Sequence, residues 1–251
     1  MTVVVLPAGC SLIALDTVGS TNDEAKRRAA DGAADGTVVW AREQMAGRGR
    51  RGRQWSSPAG NLYLSILLRP GKPAHEAAQL SLVAAVALAE AIGGILPAGV
   101  AVACKWPNDI LIDGRKTAGI LLESAGAPSG GAAEWVVVGC GVNVASHPAE
   151  AQYPATDIHS AGGATATVES VLEGFLSAFF AWRDRWCRSG IGPVRDAWLA
   201  RAAGLGGPVT VRLPNREVTG RFAAMDETGS LVLDLPDGRR ETFAAGDVFL
   251  C

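Results

Sequence analysis

The fold class is indicated by two apolar runs on either side of an Asp-Gly pair, in the stretch Ile110-Leu111-Ile112-Asp113-Gly114-Arg115-Lys116-Thr117-Ala118-Gly119-Ile120-Leu121-Leu122-Glu123. Asp-Gly supplies the positive φ angles of a tight turn, so the stretch predicts a β-hairpin. A hairpin pairs its strands antiparallel, whereas a doubly wound fold alternates parallel strands with helices. The stretch therefore argues against a doubly wound fold.

On both sides of this hairpin, strands and helices are interspersed. The spacing Thr21-x-x-Glu24 is that of a capping box, which predicts the start of a first helix. Apolar patterns predict strands at residues 11–15, 37–43, 61–69, 100–109 and 134–144, and further helices at residues 75–95, 167–187 and 193–203. The sequence thus predicts an α+β fold in which a mixed β-sheet is covered by helices.

The composition changes at Gly204-Leu205-Gly206-Gly207-Pro208, which predicts a domain boundary. Beyond it, four short strands at residues 209–213, 217–223, 230–235 and 241–243 are separated by turn signals. This pattern is typical of a small β-barrel. We therefore predict two domains, residues 1–203 and residues 204–251.

Four arginines and three glycines alternate in Gly47-Arg48-Gly49-Arg50-Arg51-Gly52-Arg53. Such a segment has little apolar surface to bury and a freely rotating backbone, so it is expected to be mobile by itself. Ordering it costs roughly 1–2 kcal/mol per residue. Charge-assisted hydrogen bonds to phosphate or carboxylate oxygens return about 1.5–3 kcal/mol each. The segment is therefore interpreted as a loop that closes over an anionic ligand.

Three other interpretations compete with this one. Gly47-x-Gly49-x-x-Gly52 matches a dinucleotide-binding pattern, but Gln54-Trp55-Ser56-Ser57-Pro58 is a poor helix start. An Arg/Gly run can also bind nucleic acid, although this one lies inside a globular pattern. A solvated loop without a role is the third alternative.

The composition of the chain limits the classes of function that it can have. The chain has 251 residues, 48% hydrophobic, with a formal net charge of −2. Because residues 48–53 contribute four positive charges, the remainder sums to −6, which argues against a general nucleic-acid coat. Five widely spaced cysteines, Cys10, Cys104, Cys140, Cys187 and Cys251, favour a reducing cytoplasm over a disulfide framework or a zinc site. The apolar run around residues 80–89 is interpreted as a core helix, and no signal peptide is recognised.

Polar groups recur at helix and strand ends. Ser20, Thr21 and Asn22 stand at a helix N-terminus, where they either cap the helix or bind a polar ligand group. Pro107 ends the strand before Asn108 and Asp109, which places polar side chains at a strand end.

Taken together, five motifs closely resemble those of biotin protein ligases, and they occur in the family's order. They are Ser20-Thr21-Asn22, Gln44-x-x-Gly47-Arg48-Gly49-Arg50-x-Gly52-Arg53-x-Trp55, Lys105-Trp106-Pro107-Asn108-Asp109, Lys116-x-x-Gly119-Ile120-Leu121-x-Glu123 and Gly139-x-Gly141-Val142-Asn143. The resemblance implies a catalytic domain like that of class II aminoacyl-tRNA synthetases and an SH3-like C-terminal barrel. It also implies the use of biotin, ATP and Mg²⁺ to form biotinyl-5′-AMP, followed by biotinylation of one lysine of a biotin carboxyl carrier protein.

The resemblance also implies roles for single residues. Those expected to bind biotin are Ser20, Thr21, Asn22, Gln44, Gly47, Arg48, Gly49, Arg50, Lys116 and Gly119. Those expected to bind ATP are Arg50, Arg53, Trp55, Lys105, Asn108, Lys116 and Asn143. Lys116, Arg48 and Arg50 are expected to be catalytic, and Asp109 is a candidate base for the transfer step. The magnesium ligands are left open.

The resemblance leaves alternatives. A lipoate or octanoate ligase or transferase shares the fold, and a nucleic-acid-binding module using the arginine run belongs to another class. About 20 residues precede Ser20, which is short for a helix-turn-helix domain, so a monofunctional enzyme that does not bind DNA is expected. No membrane association is expected, and a monomer and a homodimer both stay open.

Overall fold

A computed structural model describes residues 4–126, 131–150 and 153–250. Its larger sheet has seven strands in the order β1-β2-β3-β7-β6-β5-β4. These are β1 Ser11–Val18, β2 Thr37–Gln44, β3 Leu62–Leu68, β4 Val102–Lys105, β5 Asp109–Ile112, β6 Arg115–Ala125 and β7 Trp135–Val142. β1 and β2 are parallel, and the other neighbours are antiparallel. The predicted mixed sheet of an α+β fold is confirmed.

The hairpin is formed by β5 and β6. Asp113 and Gly114 both have positive φ angles, of 47° and 75°, as a two-residue turn requires. β6 then pairs along its length with β7, so that Gly119 faces Gly141. The central strands therefore bring the glycine-rich motifs of two distant segments side by side.

Helices cover the two faces of the sheet unequally. The helix α1, Thr21–Ala30, packs on β2, β3 and β7 over a small cluster that includes Ala25, Val39 and Val137. The other face carries α3, Leu80–Gly93, and α4, Val168–Ser189, over the main core. Because α1 is short, it leaves part of this face of the sheet, over β6 and β7, open to a loop and a cavity.

Two helix predictions are wrong in detail. The single helix predicted over residues 75–95 is two helices, α2 Ala74–Ala77 and α3, joined by tighter i to i+3 hydrogen bonds around Gln79. At this junction, the Gln79 side chain accepts a hydrogen bond from the distant Trp186 indole at 2.8 Å. The last helix of this domain, α5, spans Gly192–Leu199 and ends before the predicted residue 203.

The predicted capping box is also wrong. Ser20 is the N-cap of α1 and makes no capping hydrogen bond with its side chain. Glu24 pairs with Arg27 and Arg28 at 2.7 Å instead. Thr21 is bonded to Gln44, so the polar residues at this helix start face a cavity and do not cap the helix.

Residues 74–93 form the one helical stretch in the described ranges that is long and apolar enough to cross a membrane by length and composition. Ten of the fourteen residues of α3 are buried, and they belong to the main core. The stretch is therefore a core helix of this fold.

A five-stranded antiparallel sheet forms the C-terminal barrel, with the order β11-β10-β9-β8-β12. Its strands are β8 Pro208–Arg212, β9 Glu217–Met225, β10 Leu231–Asp234, β11 Arg240–Phe243 and β12 Asp247–Leu250. The four predicted strands are present, and β12 is an additional one. Trp198 of α5 packs against Phe222 of β9, with ring centres 6.4 Å apart, so the barrel shares the core of the larger domain. The exact boundary at residue 204 stays a prediction.

Candidate active site

A cavity of about 480 Å³ opens on the α1 face of the sheet. Its wall includes every residue that the sequence predicts for the site except Gly47. Those residues are Ser20, Thr21, Asn22, Gln44, Arg48, Gly49, Arg50, Arg53, Trp55, Lys105, Asn108, Asp109, Lys116, Gly119 and Asn143. Five separate segments of the sequence therefore meet at one cavity.

One end of the cavity is lined by uncharged polar side chains that form a hydrogen-bonded network, with the Glu123 carboxylate behind them. The side-chain oxygen of Gln44 accepts hydrogen bonds from the Thr21 amide at 2.8 Å and from the Thr21 hydroxyl at 3.1 Å. Ser65 Oγ lies 2.6 Å from Asn22 Oδ1, and Asn22 donates to Glu123 at 2.7 Å. Because these partners fix the side chains in advance, this end is suited to a neutral polar ligand group.

Glycines form the floor of the cavity. A Cβ on Gly139 would lie 2.0 Å from Asn22 Oδ1, and one on Gly141 would lie 2.5 Å from Trp55 Nε1. Trp55 also covers Gly119, where a Cβ would come within 3.1 Å of its ring. The indole Nε1 of Trp55 is buried without a hydrogen-bond partner. The glycines therefore give Asn22 and Trp55 the space they occupy.

The opposite end is cationic. Lys116 Nζ lies 2.6 Å from Asp109 Oδ1, and Lys105 Nζ lies 3.7 Å from Asp109 Oδ2. Burial lowers the pKa of Lys105 below its ordinary value. The backbone of Lys116 is fixed by hydrogen bonds with Pro154 and Thr156. One carboxylate thus stands between two lysines, which leaves this end positively charged.

The arginine loop, residues 47–54, covers the cavity and contains one 3-10 turn at Arg50–Gly52. Arg48 forms a bidentate pair with Asp23 of α1, with N–O distances of 2.6 and 2.7 Å. The hydrogen bond from Arg48 lowers the pKa of Asp23 to about 2, so the pair stays ionised at neutral pH. That a ligand orders this loop stays a prediction.

Gly47 lies behind the wall. A Cβ there would meet Ser57 Oγ at 2.5 Å and the Trp55 carbonyl oxygen at 2.6 Å. The structure thus gives Gly47 a packing role at the base of the loop. Although Gly47 is predicted to bind biotin, it is not part of the cavity wall.

Both asparagines at the cationic end are held by the backbone. Asn108 Nδ2 donates to the Ile120 carbonyl at 2.6 Å, and Asn143 Nδ2 donates to the Thr156 carbonyl at 3.0 Å. Asn143 is buried, at 5% exposure. These bonds fix the two side chains in the wall.

Two charged residues of the wall, Glu150 and Asp247, are not predicted from the sequence. Asp247, at the start of β12, lines the cavity and pairs with Arg53 at 2.8 Å and with Arg51 at 3.1 Å. In the sequence, Asp247 is distinguished only by the pair Gly246-Asp247 before an apolar run, and such a pair is typical of an ordinary turn.

Two family models match this chain. The model of the biotin/lipoate A/B protein ligase family matches residues 15–143, and that of the biotin protein ligase C-terminal domain matches residues 204–251. A biotin–[acetyl-CoA-carboxylase] ligase of Paracoccus denitrificans is 43% identical over 235 residues, which cover 92% of this chain and 96% of the relative. The chain belongs to the biotin protein ligase family.

Some relatives are named as bifunctional proteins. The ligase/repressor BirA of Bacillus subtilis is 34% identical over 94% of this chain and 73% of its own length. Among solved structures, a biotin protein ligase from Aquifex aeolicus in complex with biotin and ATP has a TM-score of 0.81 at 26% identity, covering 96% of this chain and 99% of that one. A Leishmania major ligase in complex with biotinyl-5-AMP has a TM-score of 0.65 at 25% identity, covering 94% and 99%.

Proposed function

We propose that this ligase activates biotin with ATP, forms biotinyl-5′-AMP with release of pyrophosphate, and transfers the biotinyl group to a lysine of a biotin carboxyl carrier protein. The observation that carries the proposal is a single cavity that joins a buried, neutral, hydrogen-bonding end to a cationic end. Biotin has a neutral ureido ring at one end and a carboxylate at the other, and so matches both ends of this cavity.

The polar end also favours biotin over lipoate. The ring of lipoate is a disulfide with no strong hydrogen-bonding group, so Ser20, Thr21 and Asn22 would lose their ligand partners. Sites built to hydrogen-bond a substrate reject an analogue without those groups by about 10⁴–10⁵-fold. Gln44 accepts hydrogen bonds from Thr21, and Ser65 contacts both Thr21 and Asn22, so Thr21 and Asn22 belong to one network.

The cationic end suits the first reaction step. A carboxylate oxygen of biotin attacks the α-phosphorus of ATP, and the bond from this phosphorus to the bridging oxygen of pyrophosphate breaks. Two anionic groups approach each other, so fixed cations and shelter from water are required. We assign Lys116, Arg48 and Arg50 to the reacting groups, and Arg53, Lys105, Asn108, Trp55 and Asn143 to the nucleotide.

Mg²⁺ bound to the phosphates of the nucleotide would fit this cavity. Within the described ranges, no group of three or more His, Cys, Asp or Glu side chains is placed to hold a metal ion. Asp109 and Asp247 both line the cavity and are already paired with basic side chains. Mg²⁺ is commonly bound by one or two carboxylates together with substrate phosphates, and it would neutralise phosphate charge there.

We further propose that Asp109 accepts the proton of the carrier lysine in the second step. That amine has an ordinary pKa of about 10.4, so at neutral pH it is protonated and does not attack the acyl carbon of biotinyl-AMP. Because Lys116 and Lys105 already contact Asp109, the incoming amine must replace one of them. The alternative is that Asp109 only fixes the two lysines.

Asp109→Asn separates these two roles when preformed biotinyl-AMP is supplied. We expect transfer to the carrier at neutral pH to slow by about 10²-fold, since general base catalysis typically contributes that much or more. The rate should recover as the pH approaches the pKa of the amine. Asp113→Asn is the control, because it lies in the same hairpin and keeps its hydrogen bond to the Ala101 amide. Wild-type transfer with an unchanged pH profile would show that Asp109 is not the base.

Exchange of labelled pyrophosphate into ATP tests the proposed function. We expect exchange that depends on biotin and is absent with lipoate or octanoate. Exchange that depends on lipoate would favour the lipoate ligase of the same fold. No exchange with any acid, together with tight RNA binding, would favour the nucleic-acid module.

We propose that the substrate partner is a carrier domain of a biotin-dependent carboxylase, because two related ligases are named for acetyl-CoA carboxylase. We propose a cytoplasmic location, where ATP and the carrier are available. Cys10, Cys104, Cys140 and Cys187 are free, and Cys251 lies outside the described residues.

A further inference from the structure

Asp247 connects the barrel to three arginines of the arginine loop. Its carboxylate lies 2.8 Å from Arg53, 3.1 Å from Arg51 and 3.8 Å from Arg50. The side chain of Asp247 is 17% exposed. These contacts join residues that are about 200 positions apart, so one barrel carboxylate lies at the centre of the positive charge above the cavity.

The loop requires such an anion for two reasons. Three guanidinium groups close together repel one another, and burial already lowers the pKa of Arg50. Arg51 also has a left-handed backbone conformation, with φ 57° and ψ 31°, which a non-glycine residue adopts only when its surroundings hold it there. The Arg51–Asp247 ion pair supplies such a constraint.

The barrel holds Asp247 firmly. It is the first residue of β12 and pairs with Arg212 of β8. The preceding residue, Gly246, packs so closely on the barrel that a Cβ would lie 2.7 Å from Val211. The carbonyl of Gly246 also accepts a hydrogen bond from Arg50 at 3.1 Å, and Arg50 reaches Asn108 at 3.3 Å. Arg50 therefore bridges the barrel and the Lys105–Asp109 motif of the larger domain.

We propose that Asp247 is a positioning residue that holds Arg50, Arg51 and Arg53 in a conformation ready for the phosphates of the nucleotide, so that the barrel sets the affinity for ATP. One carboxylate against three arginines leaves a net charge of +2, and most of the fifteen guanidinium N–H donors stay free for phosphate oxygens. Holding the arginines before binding reduces the entropy lost when ATP binds. The proposal rests on the proposed function, because it assigns the anion to ATP.

The test compares Asp247→Asn with Asp247→Glu and with the matched control Asp234→Asn. Asp234 pairs with Arg221 and Arg240 on the surface of the barrel, and it does not line the cavity. The first readout is tryptic cleavage within residues 48–53 of the unliganded protein, mapped by mass spectrometry. The second is the KM for ATP and the kcat of biotin-dependent pyrophosphate exchange.

For Asp247→Asn we expect faster cleavage of the loop and a much smaller change in kcat than in KM. The KM for ATP should increase by about tenfold, which corresponds to the loss of one charge-assisted contact. Asp247→Glu should restore both values in large part, and Asp234→Asn should leave both at wild type. Cleavage rates equal in Asp247→Asn and Asp234→Asn, or an unchanged KM for ATP, would overturn the proposal. If the wild type shows no biotin-dependent exchange, the proposed function fails, whereas the cleavage comparison still decides whether Asp247 holds the loop.

Discussion

Replacing Lys116 with alanine should lower the rate of biotinyl-AMP formation by about 10²–10³-fold, the usual loss when one preorganised group that stabilises developing charge is removed. Lys116 is placed for this role, because its backbone is fixed by Pro154 and Thr156 and its Nζ lies 2.6 Å from Asp109 in the cavity. Its side chain is 26% exposed, so the fold should lose little stability. Single-turnover formation of biotinyl-AMP measures the effect.

Arg115→Ala is the matched control for Lys116→Ala. Arg115 is the preceding residue of β6, is exposed, and is not part of the wall of the main cavity. The control should keep the wild-type rate, and both variants should unfold at nearly the wild-type temperature. A wild-type rate of adenylate formation in Lys116→Ala would mean that Lys116 is only a solvated hairpin lysine.

Replacing Gly139 with alanine should weaken biotin binding by about 10- to 10²-fold, because a Cβ at this position would lie 2.0 Å from Asn22 Oδ1. Asn22 is held by Ser65 and Glu123, so it does not move aside without breaking the network at the polar end. Forcing an extra methyl group into packed surroundings costs typically about 1–3 kcal/mol. Titration calorimetry with biotin measures the affinity.

Gly93→Ala is the control for the glycine substitution. Gly93 is the last residue of α3, and a Cβ there would meet nothing within 4 Å. This variant should bind biotin with wild-type affinity. Wild-type affinity in Gly139→Ala as well would show that Asn22 does not belong to the biotin site.

Local signals explain what the sequence predicted correctly. The Asp113–Gly114 turn requires positive φ angles that its own residues supply, so the hairpin and the antiparallel part of the sheet were predictable. The site residues were found by resemblance, since they lie in short motifs with fixed spacing. The structure then placed all of them except Gly47 on the wall of one cavity.

Contacts between distant segments explain the errors. Thr21 has the spacing of a capping residue, but the side chain of Gln44, 23 positions away, binds its amide and hydroxyl instead. The helix break near Gln79 coincides with a hydrogen bond from Trp186, 107 positions away. The role of Asp247 depends on Arg53, 194 positions away. Spacing within one segment carries no information on such pairs, because the energy of each pair depends on the completed fold.

The most direct measurement is the intact mass of a biotin carboxyl carrier domain after incubation with this chain, ATP, Mg²⁺ and biotin. We expect addition of one biotinyl group to the acceptor lysine, dependent on ATP, and no addition when that lysine is replaced by arginine. Lipoate in place of biotin should give no product. An unchanged carrier mass, under conditions in which another biotin protein ligase modifies the same domain, would contradict the assignment, as would equal addition of biotin and lipoate.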